Sequence, residues 1–337
     1  MRWDHLRLDG DGGPEPPLIE RRAVARTFDT PEFRGMTFYE VHARTVVNKV
    51  PEASRVPFRW TINPYRGCSH ACPYCYARKT HEYLDLDSGA DFDSRIVVKV
   101  NAAERVRAEL AAPRWRGEHI AMGTNVDCYQ RAEGRYRLMP GILAALTEAA
   151  NPFSILTKGS LILRDLPLLQ QAAARTRVSA AVSVGSVDRD LGRLVEPGAP
   201  PPRRRLEVCA ALNEAGIGCG VLMGPVIPYL SDSPAQLEAA VRQVAEAGAT
   251  SVSAIVLHLR PGAREWFLAW LREHHPELVV PYARLYRGGA YAPREYQERI
   301  TARVRELAAA CGVGGRASHR PTVPPPPPEP PKQLTLL

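Results

Sequence analysis

No run of apolar residues in this chain approaches the ~20 that a helix needs to cross a bilayer. The opening "MRWDHLRLDGDGGPEPP" also lacks the apolar stretch of a secretion signal. Both absences predict a cytoplasmic protein with no membrane partner. A glycine fingerprint of the Rossmann or P-loop kind is missing after the first predicted strand, which argues against nucleotide binding of those kinds. Cysteine is sparse and odd in number, seven in 337 residues. A disulfide framework is therefore not expected, and in a reducing compartment such thiols point to metal or redox chemistry.

The rest of the composition, 45% hydrophobic and 24% charged, suits a globular chain with a sizeable core. A formal charge of +8 is compatible with an anionic partner such as nucleic acid. Short apolar segments at 58–63, 95–100, 118–124, 153–158, 178–184, 218–224 and 250–258 alternate with amphipathic stretches. The latter predict helices at 102–112, 138–150, 161–175, 203–215, 234–247 and 263–274. This alternation predicts an α/β protein with a parallel sheet buried on both faces, closed as a barrel or open and doubly wound. Residues 1–55 are expected to be an extension packed on a core of residues 56–290. A further helix is expected within 291–315, and the proline-rich 316–337 is expected to be a disordered tail.

Within "NPYRGCSHACPYCYARKTH" (63–81), Cys68, Cys72 and Cys75 are spaced C-x3-C-x2-C. Three thiolates on one loop can wrap an inorganic cluster but leave one coordination position unfilled. A structural zinc site closes its tetrahedron with a fourth ligand, for which His70 and His81 are the local candidates, and iron–sulfur clusters also normally take four protein ligands.

The loop resembles the signature of radical S-adenosylmethionine (radical SAM) enzymes, including the aromatic Tyr74 before the third cysteine. The segments "MGTNVDCYQRAEGRYRL", "LTKGSLILRD", "SVGSVDRDLGRLVEP" and "GVLMGPVIP" are most similar to the group related to spore photoproduct lyase. This resemblance covers most of 57–275 and implies a partial (β/α)6 TIM-type barrel with its site at the carboxyl ends of the strands. It further implies a 4Fe-4S cluster on Cys68, Cys72 and Cys75, with S-adenosyl-L-methionine filling the vacant position on the fourth iron. Reductive cleavage of that cofactor releases a 5'-deoxyadenosyl radical that takes hydrogen from a substrate, and a low-potential donor of the flavodoxin or ferredoxin type supplies the electron.

The resemblance also implies a cofactor role for residues at strand ends. Tyr74, Gly123, Thr124, Lys158, Ser183, Ser186, Asp188 and Gly224 are the candidates. Gly123 and Thr124 stand where the family often carries Gly-Gly-Glu, a departure from the pattern, and a serine pair with Asp188 is equally what a turn cap requires. Cys128 and Tyr129 are candidates for returning a hydrogen atom to product, although Cys128 is not in register with the cysteine of the photoproduct lyases. Cys209, Cys219 and Cys311 fall in helix or strand patterns and are expected in the core.

Arg131, Arg135 and Arg137, interleaved with Tyr129 and Tyr136, suggest a phosphate-binding and base-stacking segment. The substrate expected from these features is a nucleic acid, with a damaged base as one form. A peptide or metabolite substrate, or a non-catalytic iron–sulfur or zinc module that docks on nucleic acid, are the alternatives. At the chain end Gln333, Leu334, Thr335, Leu336 and Leu337 resemble the short peptides with which bacterial repair proteins engage the sliding clamp, held out on an extended proline spacer.

Overall fold

The computed structural model describes residues 23–54 and 56–314. In chain order the strands are β1 (Val24–Arg26), β2 (Thr37–Val41), β3 (Val47–Lys49), β4 (Trp60–Ile62), β5 (Tyr65–Arg66) and β6 (Arg95–Lys99). They continue with β7 (Ile120–Met122), β8 (Phe153–Thr157), β9 (Val178–Ser183), β10 (Cys219–Val226) and β11 (Val252–Val256). Seven of them make one sheet in the order β11-β10-β9-β8-β7-β4-β3. From β4 to β11 every pairing is parallel, and β3 closes the far edge antiparallel to β4.

Parallel neighbours need crossovers long enough to return the chain to the same end of the sheet. Helices Leu138–Glu148, Leu166–Ala173, Pro202–Glu214 and Pro234–Glu246 supply them between successive strands from β7 to β11. Each turns an apolar stripe to the sheet, as with Leu237, Ala240, Val241 and Val244 in the last of the four. Six parallel strands alternating with helices form the partial TIM-type barrel; its inner strands are mostly buried beneath the helices, while the edge strand β11 leaves Ser253 and Ile255 exposed.

One strand goes elsewhere than expected. The segment read as a second barrel strand, 95–100, is β6, and it belongs to a separate four-stranded sheet ordered β1-β2-β6-β5. There it lies parallel to β2, which comes from the N-terminal extension, and antiparallel to β5. Its run of three buried residues, Ile96 to Val98, satisfies either sheet equally. The second sheet matters for the site, because β5 ends two residues before Cys68 and is held by the Tyr65↔Val98 and Arg66↔Val97 pairs.

The helix at 263–274 is found as read (Ala263–His274), and the C-terminal helix, Arg294–Ala310, lies within the expected 291–315. The predicted helix at 161–175 begins as a 3-10 turn, Ser160–Asp165, before Leu166–Ala173 becomes α-helical. Cys209 and Cys219 are fully buried as expected, whereas Cys311 is exposed because it caps the last helix rather than packing beneath it. Among the described residues no helix is long and apolar enough to cross a membrane. The tail at 316–337, with the five residues of the clamp-like peptide, lies outside the described residues.

Candidate active site

The carboxyl ends of the parallel strands open on one cleft. Cys68, Cys72 and Cys75 form one wall, while Gly123, Thr124, Lys158, Ser183 and Gly224 contribute from the ends of β7, β8, β9 and β10. Tyr74 also lines it.

The cysteine loop is shaped by consecutive tight turns. The amides of Ala71, Cys75 and Arg78 donate to the carbonyls of Cys68, Cys72 and Cys75 at 3.2, 3.2 and 3.3 Å. Gly67 enters the loop at a φ of +78°, and a Cβ there would stand 2.9 Å from both His81 Cε1 and the Phe92 carbonyl. Glycine is required on both counts. The amide of Gln130 clamps the start of the loop, accepting from Ser69 N and donating to Gly67 O, both at 2.9 Å. Arg78 clamps its far end. Fully buried, it donates to the Cys72 carbonyl at 3.0 Å and to Gly89 O at 2.8 Å, and forks onto Asp93 at 2.8 and 2.9 Å.

Each local imidazole has one ring nitrogen engaged by another partner. His81 Nε2 pairs with the Arg95 carbonyl at 2.9 Å. His70 turns Nδ1 toward Asp127 at 3.5 Å, and burial lowers its pKa to about 4, leaving it neutral. Among the described residues no three His, Cys, Asp or Glu side chains converge on a point that would hold a single ion. Burial raises the thiols, Cys72 to about 12, so their conversion to thiolates calls for metal charge nearby. The donor set thus fits a cluster with one iron left open.

Beside the cysteines lies a buried ion network that the sequence reading did not anticipate. Glu196 is held by Arg205 at 2.5 Å and approached by Lys158 at 3.8 Å, and it accepts the hydroxyl of Tyr74. Burial opposes ionisation of Glu196, but Arg205 and Lys158 outweigh it and hold the carboxyl at about 2. Burial also opposes the Lys158 ammonium, and Glu196 with Cys72 more than restores it. Lys158 is therefore a fixed positive charge beside the cysteines. Asp127 ties the ends of β7 and β8 together by accepting from Tyr129 N, Thr157 Oγ1 and Lys158 N at 2.9, 2.7 and 2.6 Å.

The other candidates separate. Ser183 lines the cleft and donates to Gly224 O at 2.8 Å. Ser186 and Asp188 do not line it. Asp188 caps helix Arg189–Val195 through the amides of Asp190 and Leu191, and Ser186 Oγ accepts from Asp188 N at 3.1 Å. Cys128 is fully buried and Tyr129 nearly so, and neither reaches the cysteine cleft. Burial raises both of their pKa values.

In the expected base-stacking segment Tyr129 is buried and Tyr136 half-buried, while Arg131, Arg135 and Arg137 are exposed. Tyr136 packs against Phe28 and Phe38 and donates to Glu40 at 3.1 Å, while Arg135 sits 4.0 Å over the Phe28 ring. The N-terminal extension thus packs on the Tyr136 ring and on one face of the Arg135 guanidinium, a contact invisible in local sequence.

Comparison with known proteins agrees with the geometry. The Radical SAM superfamily model matches residues 62–258. The Mycobacterium tuberculosis (strain H37Rv) protein Rv2578c is 49% identical over 328 residues, covering 96% of both chains. Methanocaldococcus jannaschii MJ0683 is 29% identical over 195 residues, covering 57% of this chain and 69% of its own. A spore photoproduct lyase double mutant with bound AdoMet and dinucleoside spore photoproduct shares the fold at a TM-score of 0.62 and 14% identity, over 82% of this chain and 80% of its own. With three cysteines on one cleft, a partial barrel and a family match across it, this chain belongs to the radical SAM superfamily and is an enzyme of the radical SAM type.

Proposed function

We propose that the protein holds a 4Fe-4S cluster on Cys68, Cys72 and Cys75, binds S-adenosyl-L-methionine on the open iron, and acts on a damaged base in nucleic acid. The observation that carries the reading is the set of three thiols on one wall of the cleft at the carboxyl ends of the parallel strands. When bound, cluster and cofactor together supply one-electron cleavage to a 5'-deoxyadenosyl radical that abstracts hydrogen from substrate.

The chain's own residues position and enclose. Gly123, Thr124, Ser183 and Gly224 line the same cleft as the cysteines and would hold the cofactor there. Lys158 offers its ammonium to a carboxylate at that position, kept charged by Glu196. Tyr74 is locked by Glu196, so the loop residue next to Cys75 has one orientation. A flavodoxin- or ferredoxin-type donor in the cytoplasm would provide the electron.

The nucleic-acid component of the proposal draws on the net charge of +8 and on the fold shared with a lyase bound to a dinucleoside photoproduct. The experiment is anaerobic reconstitution, reduction with dithionite and addition of S-adenosylmethionine. 5'-Deoxyadenosine should form, and its yield should rise with a lesion-bearing oligonucleotide. No 5'-deoxyadenosine from a reduced, cluster-loaded sample would refute the reading.

A further inference from the structure

Apart from the segment predicted to meet nucleic acid, a second set of aromatic and cationic groups stands exposed at the rim of the cysteine cleft. His258 follows β11 and is flanked by two tyrosines, with its ring centroid 5.9 Å from Tyr76 and 5.5 Å from Tyr291. The Tyr291 ring lies at 26° to the imidazole, close to parallel stacking. Tyr76 and Tyr291 are 40% and 47% exposed, and Ile255 on the same rim is 46% exposed. Large apolar side chains left open side by side mark a surface that expects a partner.

The group is held rigidly. His258 and Tyr291 form an antiparallel bridge, and Leu259 N donates to Ala290 O at 2.7 Å. Tyr76, next to Cys75, donates its hydroxyl to the Thr124 carbonyl, so its ring is pinned between the cysteine loop and the end of β7. Arg260 is exposed, donates Nη2 to the Tyr291 hydroxyl at 2.9 Å and lies 6.0 Å from the Tyr76 ring centre. A guanidinium has five donors, and this contact fixes its plane beside the rings without using them all. Burial and Arg260 lower the pKa of His258, so the central ring is neutral and stacks as an uncharged aromatic.

We infer that Tyr76, His258, Tyr291 and Arg260 form a subsite for one nucleotide of a single-stranded or extruded strand, the base stacking on an exposed tyrosine face and the phosphate meeting Arg260. Stacked rings beside a cation are what single strands use irrespective of sequence. The position suits such a role, because Tyr76 and His258 themselves line the cleft, so a base held on this rim places its neighbour toward the cysteines. The inference rests on the reading of the substrate as nucleic acid.

The test is fluorescence anisotropy of labelled oligo-dT titrated with the full-length, cluster-reconstituted protein at several salt concentrations. Tyr291→Ala should weaken binding roughly ten-fold, while Tyr291→Phe, which keeps the ring, should stay within about two-fold of wild type. Arg260→Ala should reduce the salt slope by about 0.7, one phosphate contact on a single strand. Circular dichroism and the cluster absorbance verify that each variant is folded. Wild-type binding that all three variants match would overturn the subsite and leave the substrate class standing. No binding by the wild type would overturn the nucleic-acid reading, and the subsite with it.

Discussion

Glu196 carries one negative charge between Arg205 and Lys158, all three screened from water. Glu196→Gln keeps the shape and removes that charge, leaving two cations buried without an anion. Breaking such a group costs about 3 kcal/mol, which urea denaturation of the metal-free protein should register. The pH dependence follows from the depressed carboxyl. Because the folded value of about 2 lies below the ordinary 4.5, the unfolded chain takes up the proton first. The stabilisation is complete above pH 4.5 and is lost as pH falls toward 2. The gap between wild type and Glu196→Gln should therefore shrink on acidification, and a gap constant from about pH 6 to about pH 3 would contradict the network. The cysteines were legible because their spacing is local, and Tyr74 and Lys158 because they adjoin a motif or a strand end. Glu196 and Arg205 were not, since the first sits before a Pro-Gly turn and the second in an arginine run, patterns that ordinarily mean solvated surface. Only the fold brings them to Tyr74 and Lys158.

At the level of elements, the ends of β7 and β8 are pressed together where the cleft begins. Gly123 has a φ of +79°, and a Cβ on it would fall 1.7 Å from the Leu156 carbonyl oxygen. Gly117 has a similar φ of +69° but nothing within 4 Å. Gly117→Ala should therefore cost only the backbone term, about 1–2 kcal/mol. Gly123→Ala must in addition force the paired strands β7 and β8 apart, and should cost well over twice as much or prevent folding. Equal losses in thermal denaturation would show that the close approach is not a constraint. The barrel strands were readable because each buried run alternates with a helix of matching length. The placement of β6 was not, because β2 lies more than fifty residues before it and pairing partners leave no mark in either segment. The same extension packs on Tyr136 and Arg135, a contact that local sequence does not carry, while the three arginines of the stretch stay exposed.

For the whole molecule, the proposed chemistry requires a barrel that presents one open iron and a chain that reaches its substrate. We propose that Gln333, Leu334, Thr335, Leu336 and Leu337 dock on the sliding clamp, concentrating the enzyme on DNA without new contacts at the active site. A fluorescent peptide of residues 327–337 should bind the clamp with micromolar affinity, roughly −8 kcal/mol. It should lose binding with Leu334→Ala or Leu336→Ala, and indifference to both would reject the docking role. The fourth coordination position is the more decisive matter, because it separates an enzyme from a closed metal module. Electron paramagnetic resonance of the reduced, anaerobically reconstituted protein, with and without S-adenosylmethionine, tests it directly. The account predicts a 4Fe-4S signal that changes shape when S-adenosylmethionine binds, and that is lost in Cys68→Ala, Cys72→Ala and Cys75→Ala. A cluster signal unmoved by S-adenosylmethionine, or one surviving intact in any of the three variants, would contradict it.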